Sequence, residues 1–220
     1  MRGGRKSDIV SDETTKDHRL ELVATVLLAL AAIATAWSTY QSAAWRGQQA
    51  AAQSASIAAR VESTREAAVA NRQAQIDVAL FTQWVDAYAR DEGDLASFYR
   101  KRFREEFVPA FDAWVATKPR KNPNAPLSPF AMPQYKLAAS SQADALEAQA
   151  GDFSRDVQRY IDRSDRYMLA VVLFAISLFF AALSIRLHAR DLRLALLALG
   201  YIIFVGTVVW LATQPVTLAL

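Results

Sequence analysis

Residues with the means to do chemistry are few in this chain. His18 and His188 are its two histidines. Both border apolar runs, so the charged middle of the chain lacks the commonest general base and metal ligand. Asp91, Glu92 and Asp94 cluster in "RDEGD". They lack the alternating ligand spacing and distal glutamate of a calcium loop, and a plain turn accounts for them. Arg100, Lys101, Arg102 and Arg104 form a basic run. Such a run suits lipid phosphates or an acidic partner, or else forms a solvated helix face paired with its own acids. No phosphate-cradling glycine loop, G-x-S-x-G elbow, H-E-x-x-H pair or Rossmann fingerprint is present. With no cysteine, neither a disulfide framework nor a thiolate metal site is available. No catalytic residue, metal ligand or cofactor is assigned, and the expectation is a protein that is not an enzyme.

The elements that carry these residues are helical. Between Leu20 and Glu92 there is no proline and only Gly47 as a glycine. The apolar run "LVATVLLALAAIATAWSTYQ" passes into an Ala-, Gln-, Glu- and Arg-rich tract of good helix formers, so one near-continuous helix is expected. Its apolar stripe reads Val69, Ile76, Leu80, Trp84 and Tyr88, widened by Phe81 and Val85. Gly93 is placed to take a left-handed C-cap and Asp94 to cap the next helix. That second helix is expected from Leu95 to about Thr117, with Tyr99, Phe103, Phe107 and Phe111 at four-residue steps and a kink at Pro109. "TKPRKNPNAPLSPFAMPQ" holds five of the seven prolines and reads as a stiff crossover packed by Leu127, Phe130 and Met132. Phe130 also joins the basic run as a candidate interaction residue. A last helix begins near Gln134 and keeps steps of three and four through Leu146, Ala150, Phe153, Val157, Ile161, Ser164 and Met168.

Three stretches suit a bilayer: Leu22 to Tyr40, Tyr167 to Ile185 and Leu194 to Gln214. No charge sits deep in any of them, where it would cost about 2.5–3.5 kcal/mol or more. The first resembles a secretory signal ending in "ATA" at Ala34 to Ala36, but its acidic leader and the helix-forming sequence beyond it favour an uncleaved anchor. Arg2, Arg5, Lys6, Lys16 and Arg19 in the tail, with Arg186, Arg190 and Arg193 in the hairpin turn, favour a cytoplasmic tail and turn, whereas Arg155, Arg159, Arg163 and Arg166 before the second span favour the inverted topology. Trp37, Tyr40, Trp45, Tyr167 and Trp210 are candidate membrane-interface anchors.

The expected architecture is an all-α membrane protein, with three transmembrane helices and a helical-hairpin or bundle domain continuous with the first two spans. A cytoplasmic tail covers 1–20, the first span 21–43, and an extracytoplasmic, coiled-coil-like domain 44–166, with its proline-rich loop at 118–134. The second span covers 167–186, a basic turn 187–193, the third span 194–214 and a C-terminal tail 215–220. Residues 46 to 166 hold seventeen basic and sixteen acidic side chains, a balance that argues against nucleic acid as a partner.

The segments "AWSTYQSAAWRG", "RVESTR", "QIDVALFTQWVDAY", "FYRKRFR" and "NPNAPLSPFAMP" resemble a family of bacterial inner-membrane proteins known only as a domain of unknown function. The resemblance runs from about Leu20 onward and implies a bacterial source and an inner-membrane location. It implies no activity or site residue. Three functions are compatible with these features. The first is a non-catalytic membrane protein whose outer helices mediate self-assembly, as a homo-oligomer, or bind another envelope protein. The second is a homo-oligomeric channel or transporter subunit, suggested by Thr35, Ser38, Thr39, Gln41 and Ser42 and by the small pairs Ala32/Ala36 and Ser177/Ala181. The third is an outer-face ligand sensor acting through a membrane partner.

Overall fold

The computed structural model describes the backbone of residues 4–187 and 189–217, and side chains from Leu20 onward. His18, His188 and the tail residues Arg2, Arg5, Lys6, Lys16 and Arg19 lie outside the residues whose side chains are described. The described chain is all-helical: α1 Gly4–Ala89, α2 Gly93–Arg100, α3 Val108–Ala116, α4 Ala138–Arg186 and α5 Arg190–Ala212, with a 3-10 turn at Pro129–Ala131. Helices α1, α4 and α5 each contain a stretch long and apolar enough to cross a membrane. Contacts divide the chain into two compact units, residues 1–52 with 155–220, and residues 53–154.

In the first unit Ala24 and Leu27 of α1, Ala181 of α4 and Leu197 of α5 form one buried cluster. Ser177 Oγ donates to the Gly200 carbonyl at 2.8 Å. A Cβ on Gly200 would meet the Ser177 carbonyl at 3.2 Å and Phe180 Cβ at 3.3 Å, so α4 and α5 cross where only a glycine fits without adjustment. Large apolar side chains such as Ile33, Phe179, Ile202 and Val209 point outward, the pattern of helices whose solvent is lipid. Thr35, Ser38 and Thr39 return their hydroxyls to the carbonyls one turn back at 2.7–2.9 Å, which satisfies them without water.

The second unit pairs α1 with the start of α4. Ser56 Oγ donates to the Ala150 carbonyl at 3.1 Å, and Ser63 Oγ to the Ala143 carbonyl at 2.9 Å. A hydroxyl this short reaches a facing backbone only because Ala59, Ala70, Ala143 and Ala150 are buried beside it. The inward face of α1 in this unit therefore runs Ser56, Ala59, Ser63, Ala70 and Asp77, with Ser56, Ser63, Ala70 and Asp77 at the seven-residue repeat of a coiled-coil seam. Of the stripe expected from hydrophobicity, Leu80 and Trp84 are half-buried while Ile76, Val85 and Tyr88 are exposed. The seam is built of small residues, and the larger apolar ones lie outside it.

Between α1 and α4 the chain departs from expectation in several places. Asp91, not Gly93, takes the left-handed conformation, at φ 59°. Gly93 opens α2, and Glu92 precedes it without a side-chain cap. The helix expected over 95–117 is two helices separated by turns at 101–107, because Pro109 lies in the first turn of α3, where its missing N–H costs nothing. The four-residue aromatic spacing survives the break: Phe103, Phe107 and Phe111 are buried together, packed by Phe81, Trp84, Phe130 and Tyr135. Phe130 stacks on Phe107 with ring centroids 5.2 Å apart. Trp114 Nε1 donates to the Pro126 carbonyl at 2.8 Å, tying the proline segment to α3. Pro129 is fully buried and Leu127 is 99% exposed, so the crossover packs through its proline and Phe130, not through Leu127.

Helix α4 starts at Ala138, later than Gln134, and only 187–189 separate α4 from α5. Arg190 and Arg193 thus belong to the first turn of α5 and not to a loop. Along α4, Ala150, Val157 and Ser164 are buried and Leu146 and Phe153 half-buried, as the stripe predicts. At its membrane end the inward residue is Tyr167, and Met168 is exposed.

Candidate functional site

The middle of the inward α1 face carries one acid, Asp77, with no exposed surface. Burying a lone carboxylate is costly unless cationic and hydrogen-bonding partners compensate. Arg104, from the turns between α2 and α3, places Nη1 2.9 Å from Asp77 Oδ2. Tyr135, just before α4, donates its hydroxyl to the same oxygen at 3.1 Å. Arg104 also pairs with Glu106. One carboxylate oxygen therefore joins three separate stretches of chain beside the cluster of Phe107, Phe130 and Tyr135 rings.

The network polarises its members. Burial raises the Asp77 carboxyl above its ordinary 3.8, opposed by the Arg104 guanidinium and the Tyr135 hydroxyl. Burial, then the neighbouring Asp77 charge, pushes the Tyr135 phenol up to about 12. Tyr135 is thus held as a neutral donor. Asp77 Oδ1 and, one helical turn earlier, Gln73 Oε1 are buried without a hydrogen-bond partner. The arrangement supplies hydrogen bonds and charge around a fully buried carboxylate. Among the described residues no three His, Cys, Asp or Glu are gathered as a metal would need.

The basic run is split by this geometry. Arg104 is drawn inward and is 20% exposed. Arg100 pairs with Asp112 at 2.7 Å and lies 5.8 Å from the Phe111 ring centre. Arg102 covers the Phe98 ring at 3.3 Å and donates to the Phe98 carbonyl at 3.0 Å. Lys101 is exposed. Arg100 ends α2 while Lys101, Arg102 and Arg104 lie in the turns that follow, and two of the four, Arg100 and Arg104, engage carboxylates.

The aromatic anchors also divide. Trp37 and Tyr40 are exposed, 5.9 Å apart, and Trp210 is half-buried. Trp45 is buried in the first unit, stacked on Tyr160 at 5.7 Å with Arg163 4.5 Å over its ring. Tyr167 is also buried and donates its hydroxyl to the Pro215 carbonyl at 3.0 Å. These two are packing residues, because they fall on the inward faces of α1 and α4. Arg186 and Arg190 are exposed and Arg193 is half-buried.

The polar residues of the first span are similarly placed. Ser38, Gln41 and Ser42 are buried, and Ser42 and Ser164 share a hydrogen bond of 3.0 Å. Arg46 Nε donates to Ser164 Oγ at 3.3 Å. Ser177 and Ala181 are buried, whereas Ala32 and Ala36 are exposed. Asp77 and Tyr135 escaped sequence reasoning, and Gln41 entered it only as one polar residue among several in the first span. The one available signal for Asp77 is its place in the seven-residue series Ser63, Ala70, Asp77, an otherwise uncharged register.

No family model, curated protein or solved structure matches this chain.

Proposed function

We propose that this chain is a non-catalytic protein of a bacterial inner membrane. Its N-terminus faces the cytoplasm and residues 44–166 face outward, mediating assembly with a second copy or an envelope partner. The observation that carries this reading is the exposure of large apolar side chains in the second unit, away from the apolar spans. Ile57, Val61, Val78 and Val85 of α1 are all exposed, at 53%, 48%, 46% and 38%. Apolar surface gathered on one element favours a partner that removes it from water. The inward-turned Asp77 network supports the same reading, since its charges serve to hold the unit's own segments together.

Chemical crosslinking of native membranes tests it. An adduct of discrete higher mass is expected, either twice the chain or the chain plus one partner. Monomer alone, at crosslinker doses that capture known membrane complexes, overturns the assembly role.

A further inference from the structure

Helix α1 has a second face with coiled-coil spacing. From Ile57 to Val85, residues at steps of four and three (57, 61, 64, 68, 71 and onward) are all exposed, and none carries a charge. At about 100° per residue this row points away from the Ser56, Ser63 and Ala70 seam that α4 covers. Charges occur elsewhere on the same helix, at Arg60, Glu62, Arg65, Arg72 and Asp86. A helix face meant only for water has no reason to exclude them.

The middle of this row is hollow. Asn71, Ala74, Gln75 and Val78, with Ala79, line an open depression of about 440 Å³. The first four occupy positions i, i+3, i+4 and i+7, the four corners of the hole that receives one knob in a coiled coil. The two alanines keep its flank low, while Val78 is 46% exposed at its rim.

We infer that this hole receives Gln75 of a second copy of the same chain, in a parallel, in-register pair of α1 helices. Parallel direction rests on the membrane orientation proposed above, since two copies inserted alike carry α1 in the same sense. In a parallel pair a knob enters the hole formed around its own counterpart, so Gln75 meets Gln75. A carboxamide both donates and accepts, and is therefore complementary to itself. Asn71, one turn earlier, repeats that property. A buried amide in such a seam selects register and partner at some cost in stability. Valine or isoleucine at these central sites would make a stickier face with less choice of partner.

The absence of cysteine makes single-cysteine scanning clean. Val61→Cys, Ala68→Cys, Gln75→Cys and Thr82→Cys are introduced one at a time into the full chain in its membrane, with Glu62→Cys and Ile76→Cys as exposed controls on another face. Mild oxidation should link like residues in the first group and leave the controls monomeric. Adding Gln75→Glu to Ala68→Cys sets two carboxylates face to face and should reduce the link to the control background. Equal linking at all positions, linking at the controls alone, or no linking anywhere overturns the inference. An amine-reactive crosslinker applied to the same membranes separates the two ideas. If it yields an adduct while the cysteine series is silent, assembly stands and this interface is wrong. If both are silent, both fail.

Discussion

The side chain of Gln41 and the backbone of Thr217, 176 residues apart, exchange two hydrogen bonds. Gln41 Nε2 donates to the Thr217 carbonyl at 3.1 Å, and the Thr217 amide donates to Gln41 Oε1 at 3.0 Å. A fully buried carboxamide thus serves as a backbone mimic, satisfying both polar groups of a residue beyond the end of α5. Tyr167 to the Pro215 carbonyl and Arg166 to Gln214 Oε1, both at 3.0 Å, hold the adjoining residues.

Gln41→Leu should release this segment. Two backbone groups lose their partners, and each buried orphan costs about 1–3 kcal/mol. Limited proteolysis of a C-terminal tag in detergent is expected to quicken, while Thr39→Val, at an exposed site bonded only within its own helix, should leave the rate unchanged.

Arg104→Met should destabilise the second unit by about 3–5 kcal/mol, because it leaves the Asp77 carboxylate buried without its cation. Arg102→Met, whose guanidinium is exposed over Phe98, should cost under about 1 kcal/mol. Urea unfolding followed by tryptophan fluorescence distinguishes them, since Trp84 and Trp114 flank the aromatic cluster. Equal midpoints for the two variants would contradict the assigned role of Arg104.

The same network sets a pH dependence. Asp77 has a folded value above 3.8, so protonation favours the folded state. Its stabilising contribution is fully present below 3.8 and is lost as pH rises through the elevated folded value. Asp77→Asn should flatten that slope. Tyr135 is raised from 10.0 to about 12, so its contribution is complete below 10.0 and disappears as pH climbs toward 12. Ultraviolet titration of tyrosinate should show one fewer late-ionising phenol in Tyr135→Phe than in the parent. A Tyr135→Phe curve superimposable on the parent would remove the basis for this assignment.

How much of this was legible beforehand depends on which physical signal carried it. Continuity of α1 was plain, because a proline-free tract of strong helix formers has few alternatives. The three apolar helices were evident from length and the absence of charge. The α1 seam was not legible as an apolar stripe, because Ser56, Ser63 and Ala70 pack by being small and are not strongly hydrophobic. The break between α2 and α3 was masked by Phe103, Phe107 and Phe111, whose helical spacing persists across turns. Asp77 is hard to tell from a surface acid in the sequence, since the Arg104 and Tyr135 that neutralise it come from distant stretches. Nothing near Gln41 encodes a partner at Thr217.

Close packing of α4 on α5 gives a further contrast. Gly200→Val should lower the melting temperature in detergent, because its Cβ alone falls 3.2 Å from a backbone oxygen and overpacking costs about 1–3 kcal/mol. Gly206→Ala meets nothing within 4 Å and should be neutral or slightly stabilising.

The proposed membrane topology is tested most directly by reporter fusions, one in the proline segment near Asn124 and one after Leu220. Under the proposed topology, both should report the extracytoplasmic side, active as a periplasmic phosphatase fusion and dark as a cytoplasmic fluorescent one. Both reporting the cytoplasm would invert the topology, and one on each side would remove a span.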